Sequence, residues 1–289
     1  MKFAIYGQAF KNITPEIINK LLMVVRKYSA TVVFEQDYYN LLIENHAIES
    51  IFETFTSNAD LPDDVDFFIS IGGDGTTLRA ANFVKSKNIP IVGINAGRLG
   101  FLANVQQDAI EDLLIKLFEG DFQLSKRTLL QLEQPQGAPS SFDVNFALNE
   151  ITISRKNTTS MITIGTYINN EFLANYWADG IIISTPTGST GYSLSCGGPI
   201  ITPDSNCLVI TPIAPHNLTT RPLIINDKSK IQMKVESREP QFLISVDSET
   251  RTMDSETKIE ISLAPHTVNM VVFPEITFLK TLRNKLLWG

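Results

Sequence analysis

The run Ser70-Ile-Gly-Gly-Asp-Gly-Thr-Thr-Leu-Arg79 sets one carboxylate among glycines, directly after the apolar stretch Asp66-Phe-Phe-Ile-Ser-Ile71. Glycine lets a backbone come close to a ligand, and free amides at a helix start favour phosphate oxygens. Thr76 and Thr77 are placed to cap the helix that follows, and Gly72, Gly73 and Thr76 are candidates to face phosphate. The spacing fits neither common nucleotide fingerprint: GxGxxG needs glycine where Leu78 stands, and Gly-Lys-Ser/Thr is absent. An acid beside a phosphate cradle repels the phosphate, yet it can take the proton of an attacking hydroxyl. Phosphoryl transfer uses an aspartate in that way. Asp74 is therefore a candidate general base, the plain alternative being an Asx turn.

A second run, Gly180-Ile-Ile-Ile-Ser-Thr-Pro-Thr-Gly-Ser-Thr-Gly-Tyr-Ser-Leu-Ser-Cys-Gly-Gly198, follows Trp177-Ala-Asp179 and is crowded with hydroxyls and glycines. Such a loop can wrap a hydroxyl-rich ligand and stack Tyr192 on a ring. None of Ser189, Ser193 and Ser195 has the flanking glycines of a GxSxG elbow. The three histidines, His46, His216 and His266, are scattered, which leaves a Ser-His-Asp triad and a zinc site without support, and no metal ligands are assigned. His216 reads as a loop histidine.

These runs need a scaffold. Up to about residue 120 strand and helix patterns alternate: strands at Lys2–Tyr6, Thr31–Phe34, Phe67–Ile71 and Pro90–Asn95, helices from Pro15, over Thr76–Lys87 and over Ala109–Phe118, the last stopped by Gly120. Thr14, Pro15 and Glu16 form a helix start, with Ile17, Ile18, Leu21, Leu22 and Val25 at helical spacing. That alternation predicts a doubly wound α/β domain over residues 1–120. Beyond it short strands recur, at Leu129–Leu132, Phe146–Ser154, Ile162–Ile168, Gly180–Ser184, Leu208–Ile213, Ile231–Val235, Phe242–Val246, Ile259–Leu263 and Val268–Phe273. Asn169-Asn170 reads as a hairpin turn, and residues 136–141 as a polar loop. Residues 121–274 thus read as a β-sandwich-like domain. Residues 275–289 form an amphipathic helix returning to the first domain or to a neighbouring subunit. The repeat Asp247-Ser-Glu-Thr250 and Asp254-Ser-Glu-Thr257 reads as a turn-rich hairpin.

The chain has 289 residues and a formal net charge of −7, with no Lys/Arg run, which argues against a nucleic-acid partner. No segment approaches the roughly 20 apolar residues of a membrane span, and the N-terminal residues read as a strand rather than a signal peptide. Two cysteines, Cys196 and Cys207, cannot make a disulfide framework and suggest a cytoplasmic setting.

Together, GGDGT at 72–76, the turn Gly93-Ile-Asn-Ala-Gly-Arg-Leu-Gly-Phe-Leu102, Asn149-Glu150 and the run from Asp179 to Pro199 resemble the NAD kinase family, in that order and over nearly the whole chain. The resemblance implies transfer of phosphate from ATP to the 2′-hydroxyl of the adenosine ribose of NAD, giving NADP. It implies Asp74 as base and Gly75 beside the pyrophosphate and ribose. Asn149 and Glu150 would contact adenine and ribose, and Asp179 the dinucleotide, often across a subunit interface. Thr190, Gly191, Tyr192, Ser193 and Ser195 would cradle the rings, with Ala214 at the nicotinamide end and Phe101 as a wall. Arg79 is either a solvated helix residue or a bidentate donor to a phosphate of the bound nucleotide, and Arg98 can serve the same need from the next loop. Asp247 is a possible pocket acid, left unassigned. A divalent metal cation, Mg²⁺, would arrive with ATP, and a homodimer or homotetramer would complete the pocket. The alternatives are a lipid or sugar kinase of the same superfamily and a non-enzymatic NADP-sensing module, which would have no use for Asp74.

Overall fold

The structure, a computed structural model, describes residues 1–8, 15–133, 145–157, 160–255 and 257–287. The expected cap Thr14, the loop at 136–141 and Trp288 lie outside them. The elements run β1 (Lys2–Gly7), α1 (Pro15–Lys27), β2 (Thr31–Glu35), α2 (Gln36–Glu44), β3 (Glu53–Phe55), β4 (Phe67–Gly72), α3 (Asp74–Val84), β5 (Ile91–Asn95) and α4 (Ile110–Glu119). Then come β6 (Gln123–Leu132), β7 (Phe146–Ala147), β8 (Glu150–Arg155), β9 (Ile162–Ile168), β10 (Glu171–Ala178) and β11 (Gly180–Ser184). The chain goes on through β12 (Cys207–Ile213), β13 (Leu223–Asn226), β14 (Ile231–Glu236), β15 (Gln241–Val246), β16 (Glu249–Asp254), β17 (Lys258–Val272) and a C-terminal helix (Phe278–Leu286).

Two compact units result, Met1–Lys126 with Val268–Gly289, and Arg127–Thr267. In the first, parallel strands lie in the order β5-β4-β1-β2-β3, and Met270 of β17 adds a parallel pairing beside Ile91. Side chains alternate across this sheet. Phe3, Ile5, Phe67, Ile69 and Ile71 pack with Ile17, Ile18, Leu21 and Leu22 of α1 and with Leu113, Leu114 and Leu117 of α4. Each such buried aliphatic chain stabilises the fold by roughly 1.5–3 kcal/mol. Their neighbours face the other way, where Phe68 meets Tyr6, Phe55 and Phe83. Gly120 ends α4 in the left-handed region at φ 77°, and the next amide, of Asp121, bonds Lys116 O at 2.9 Å. The reversal of strand order between β1 and β4 leaves the crevice where open parallel sheets bind ligands. Gly72 and Gly73 lie at its rim.

The second unit has two antiparallel sheets. One orders β10-β9-β14-β17, with β6 on β17 and β7 on β6, and the other orders β13-β12-β11-β8-β15-β16. Leu130, Ile164 and Met233 from the first pack with Ile151, Ile181, Leu208 and Phe242 from the second. Asn169 and Asn170, at φ 51° and 67°, turn the β9–β10 hairpin, a conformation asparagine tolerates.

Several elements differ from the sequence reading. The helix expected from Thr76 starts at Asp74, and Gly73 caps it without a side-chain bond. α2, β3, β10, β13 and β16 were not expected, and the two strands expected at 259–263 and 268–273 are one, β17. Pro265 is exposed within it, and its missing N–H does not end the strand. Part of the hydroxyl-rich run read as a loop after Ser184 is helical: a 3-10 turn at Thr187–Thr190 and one helical turn at Tyr192–Ser195.

Candidate active site

In the first unit the chemistry gathers at the ends of β4 and β5. The Asp74 carboxylate, in the first turn of α3, accepts three backbone hydrogen bonds from one loop. Phe101 N–H bonds Oδ2 at 2.9 Å, while Leu102 and Ala103 N–H bond Oδ1 at 2.9 and 3.0 Å. The loop is fastened from the other side by buried Asn95. Asn95 Oδ1 accepts from Gly97 N at 2.7 Å, and its Nδ2 donates to Ala103 O at 3.2 Å and to Arg98 O. Gly100 is required by proximity, since a Cβ there would lie 1.9 Å from Asp74 Oδ1. The aspartate is thus oriented by charge-assisted bonds, and its side chain keeps 31% exposure. Oδ2 carries one amide against two on Oδ1, which leaves it the freer acceptor for a ligand hydroxyl.

Around Asp74, a Cβ built on Gly73 or Gly75 meets nothing within 4 Å, so the backbone is open to close approach. Thr76 is buried: its amide bonds Gly73 O at 3.0 Å and its hydroxyl bonds Gln8 Oε1 at 3.2 Å. Thr77 is buried too, so neither hydroxyl caps the helix. Starting two residues early puts both on the inner side. Arg98 is exposed on the loop, and Phe101 half-buried. Arg79 is exposed and faces a cavity of about 420 Å³ over the ends of β1 and β2, with Tyr6, Gln8, Glu35 and Asp37. Burial raises the Tyr6 phenol, against the pull of its hydrogen bond with Arg79.

The second unit repeats the same device. Asp247, at the tip of the β15–β16 hairpin, accepts from Leu148, Asn149 and Glu150 N–H at 2.8, 2.9 and 3.0 Å. Its own amide returns a bond to Glu150 O at 2.9 Å. Glu150 lies beside the turn carrying Tyr192, whose backbone N–H its carboxylate accepts. Burial and the neighbouring Asp247 charge push Glu150 up to about 8, and burial pushes Asp247 up to about 6 against its three amide donors. At neutral pH Glu150 therefore holds a proton that it can donate. Asn149 Oδ1 and Glu150 Oε2 are buried with no hydrogen-bond partner among the described residues. Buried polar atoms left so are costly, and such a pair is fit to be completed by a polar ligand.

The other assigned residues of this unit stand in different states. Tyr192 exposes 46% of itself, as a stacking ring would. Ser195 is exposed, and Thr190 bonds Thr187 O at 3.2 Å. Ser193 is buried, its hydroxyl paired with Thr211 Oγ1 at 2.8 Å, so that side chain holds the fold together. Gly191 lies against the acid: a Cβ there would come 2.9 Å from Glu150 Oε2. Asp179 is ion-paired with Arg155 at 3.0 Å. Ala214 is exposed at φ 44°, a strained left-handed conformation for alanine. His216 packs against Trp177 at a tilt, with ring centroids 4.2 Å apart and planes 54° from each other.

Comparison with known proteins decides the family. Residues 11–122 match the family described as ATP-NAD kinase N-terminal domain, and residues 148–273 match the ATP-NAD kinase C-terminal domain. The chain is 54% identical to the NAD kinase of Flavobacterium psychrophilum over 289 residues, covering 100% of this chain and 98% of the relative. The chain belongs to the NAD kinase family. The NAD kinase of Bacteroides fragilis is 40% identical over 297 residues, with 100% and 98% covered. Among solved structures, yeast NADH kinase complexed with NADH superposes with a TM-score of 0.84 at 24% identity, covering 100% of this chain and 88% of that one. An Archaeoglobus fulgidus NAD kinase in complex with ATP gives 0.75 at 24% identity, covering 99% and 97%. At that identity the likeness speaks to the fold, a Rossmann-like sheet followed by a sheet domain.

Sequence reasoning for this NAD kinase family member assigned Asp74, Asn149 and Glu150 but not what holds them. Asp247 has no role that the sequence assigns, and Asn95 and Gly100 stand out there only as members of the glycine-rich turn after β5. The one signal available in the sequence was the density of Asn and Gly after β5, which marks a tightly tied loop.

Proposed function

We propose that this protein phosphorylates the 2′-hydroxyl of the adenosine ribose of NAD with ATP, giving NADP. The observation that carries the mechanism is the amide-clamped Asp74 carboxylate, with Oδ2 the less occupied oxygen. In this reading Oδ2 takes the hydroxyl proton as the ribose oxygen forms its bond to the γ-phosphorus, and the bond to the β-phosphate oxygen breaks to release ADP. The open backbone at Gly73 and Gly75, with Arg98 and Arg79, faces phosphate, while Gly72 is packed under Thr76 behind them. In the second unit Asn149 and protonated Glu150 turn their unpartnered oxygens on the adenosine, while Tyr192 stacks. Thr190, Gly191, Ser195, Asp179 and Ala214 are this reading's further NAD contacts in the second unit, and Phe101 is its apolar contact in the first.

Among the described residues no cluster of three or more His, Cys, Asp or Glu is placed to hold a metal. In this reading a divalent cation, Mg²⁺, enters as the companion of the triphosphate. A homodimer or homotetramer is part of the proposal. Its support is β10 at a sheet edge, with Phe172 52% and Trp177 50% exposed. A cytoplasmic setting is proposed from the two free cysteines. Among the described residues no helix is long and apolar enough to cross a membrane.

The test is NADP formation from NAD, ATP and Mg²⁺, read through an NADP-specific dehydrogenase, with Asp74→Asn alongside. Turnover in the wild type that falls by roughly a hundredfold or more in the variant is expected. No NADP with ATP or polyphosphate as donor would end the reading, and a variant with near-normal kcat would end the base assignment.

A further inference from the structure

We infer that the C-terminal helix positions Asp74, and that Lys285 is the positioning residue through which it acts. The helix lies outside both family matches, which end at residues 122 and 273. Thr277 caps it, its hydroxyl accepting from Lys280 N at 3.2 Å, and Glu275, just before it, is tied to Lys116 at 2.5 Å. Phe278, Thr281, Leu282 and Lys285 recur at three- and four-residue spacing on one face. Thr281 and Leu282 are buried. At the first end of that face the Phe278 ring meets Phe101, with centroids 6.2 Å apart. At the other end Lys285 Nζ makes three contacts. It donates to Leu99 O at 2.8 Å, sits 5.3 Å over the Phe101 ring, and lies 3.9 Å from Asp74 Oδ2.

One ammonium therefore fixes both sides of the clamp. It holds the loop at Leu99 and Phe101, whose neighbouring amides aim at Asp74, and it sets a positive charge beside the oxygen left freest by those amides. At 3.9 Å it does not occupy Oδ2 with a hydrogen bond, so that oxygen remains available to a hydroxyl. Methionine at 285 would keep the length of the side chain and remove all three polar contacts. The loop could then shift by the fraction of an ångström that a positioned group does not tolerate.

The inference rests on the reading of Asp74 as base, and the experiment separates the two. Lys285→Met, Lys285→Arg, Lys280→Met and Asp74→Asn are compared by steady-state kinetics. Amide exchange over residues 99–103 is followed by mass spectrometry in the same full-length proteins. Lys285→Met should lose roughly ten- to a hundredfold in kcat with KM for NAD changed less than about twofold, and residues 99–103 should exchange faster. Lys285→Arg should regain most of that loss. Lys280→Met, which gives up the bond to Glu275 O at 3.1 Å and the attraction to the Glu275 carboxylate and bonds neither Asp74 nor its loop, should keep wild-type kcat. The inference is overturned if Lys285→Met keeps kcat within about twofold with unchanged exchange, if its loss appears in KM alone, or if Lys280→Met falls as far. Should Lys285→Met fail to fold, Phe278→Leu supplies the same kinetic and exchange readouts, and wild-type values there also overturn it. Failure of the Asp74 reading shows instead in Asp74→Asn, as retained kcat.

Discussion

At the scale of single residues the two aspartates do the same physical work with different consequences. Asp74 stays partly open to solvent and offers an oxygen to a ligand, whereas Asp247 turns its carboxyl inward and orients Asn149-Glu150. Asp247→Ala would strand three amides at about 1–3 kcal/mol each. A fall of several degrees in melting temperature and a raised KM for NAD, with Asp247→Asn intermediate, are the expected results. Glu150 carries a pH signature. Its folded value, about 8, lies above the ordinary 4.5. The stability it contributes is thus fully present below about pH 4.5 and lost as pH rises through about 8. Asp247, at about 6, adds in the same direction, and the two titrate as a pair. Urea midpoints should decline from pH 5 to pH 8 in the wild type and decline less in Glu150→Gln; parallel curves would contradict the assignment.

At the scale of elements, the loop after β5 is the working part. Asn95, Asp74 and Lys285 hold it from three elements, and Gly100 lets the carboxylate in. Gly100→Ala should push the Asp74 carboxylate out of its amides, with a loss of kcat of at least about tenfold. The global melting point should move by only a few degrees, because the clash falls on the Asp74 carboxylate and not on the packed side chains between the sheet and α1 and α4. Retained kcat in that variant would show that the clamp can move without cost. The elements that sequence patterns did not reveal have weak signals for identifiable reasons. α2 buries only Tyr38 and Leu42, too few for a helical stripe. β3 has three residues, and β10, β13 and β16 lie at sheet edges, where solvent blurs the alternation that marks a strand. The continuity of β17 was hidden by Pro265, a residue that usually argues for a break.

At the scale of the whole molecule, each unit has its own core, and each presents one of the two carboxylate clamps. Light scattering coupled to gel filtration is expected to find a dimer or tetramer. Trp177→Asp, which places a charge on the exposed edge strand, should shift it toward monomer and weaken NAD binding. A wild type that is monomeric under assay conditions would remove the oligomer from the proposal.

The sequence marked the Asn-Glu pair through its family resemblance, and by itself it determined the alternating first unit, the strand-rich second one and the residues of the glycine-flanked acid. Each of these is written in local periodicity or in adjacent residue types, which neighbours in the chain settle without help. Only the tertiary structure decided what those acids touch. Asp74 finds its donors 27 to 29 residues away, Asp247 finds its own 97 to 99 residues away, and Lys285 reaches Leu99 across 186. Backbone amides carry no residue identity, so a carboxylate that binds three of them leaves no partner in the sequence to be read. Whether it is a surface charge or a clamped one is settled when the sheet brings the loop to it.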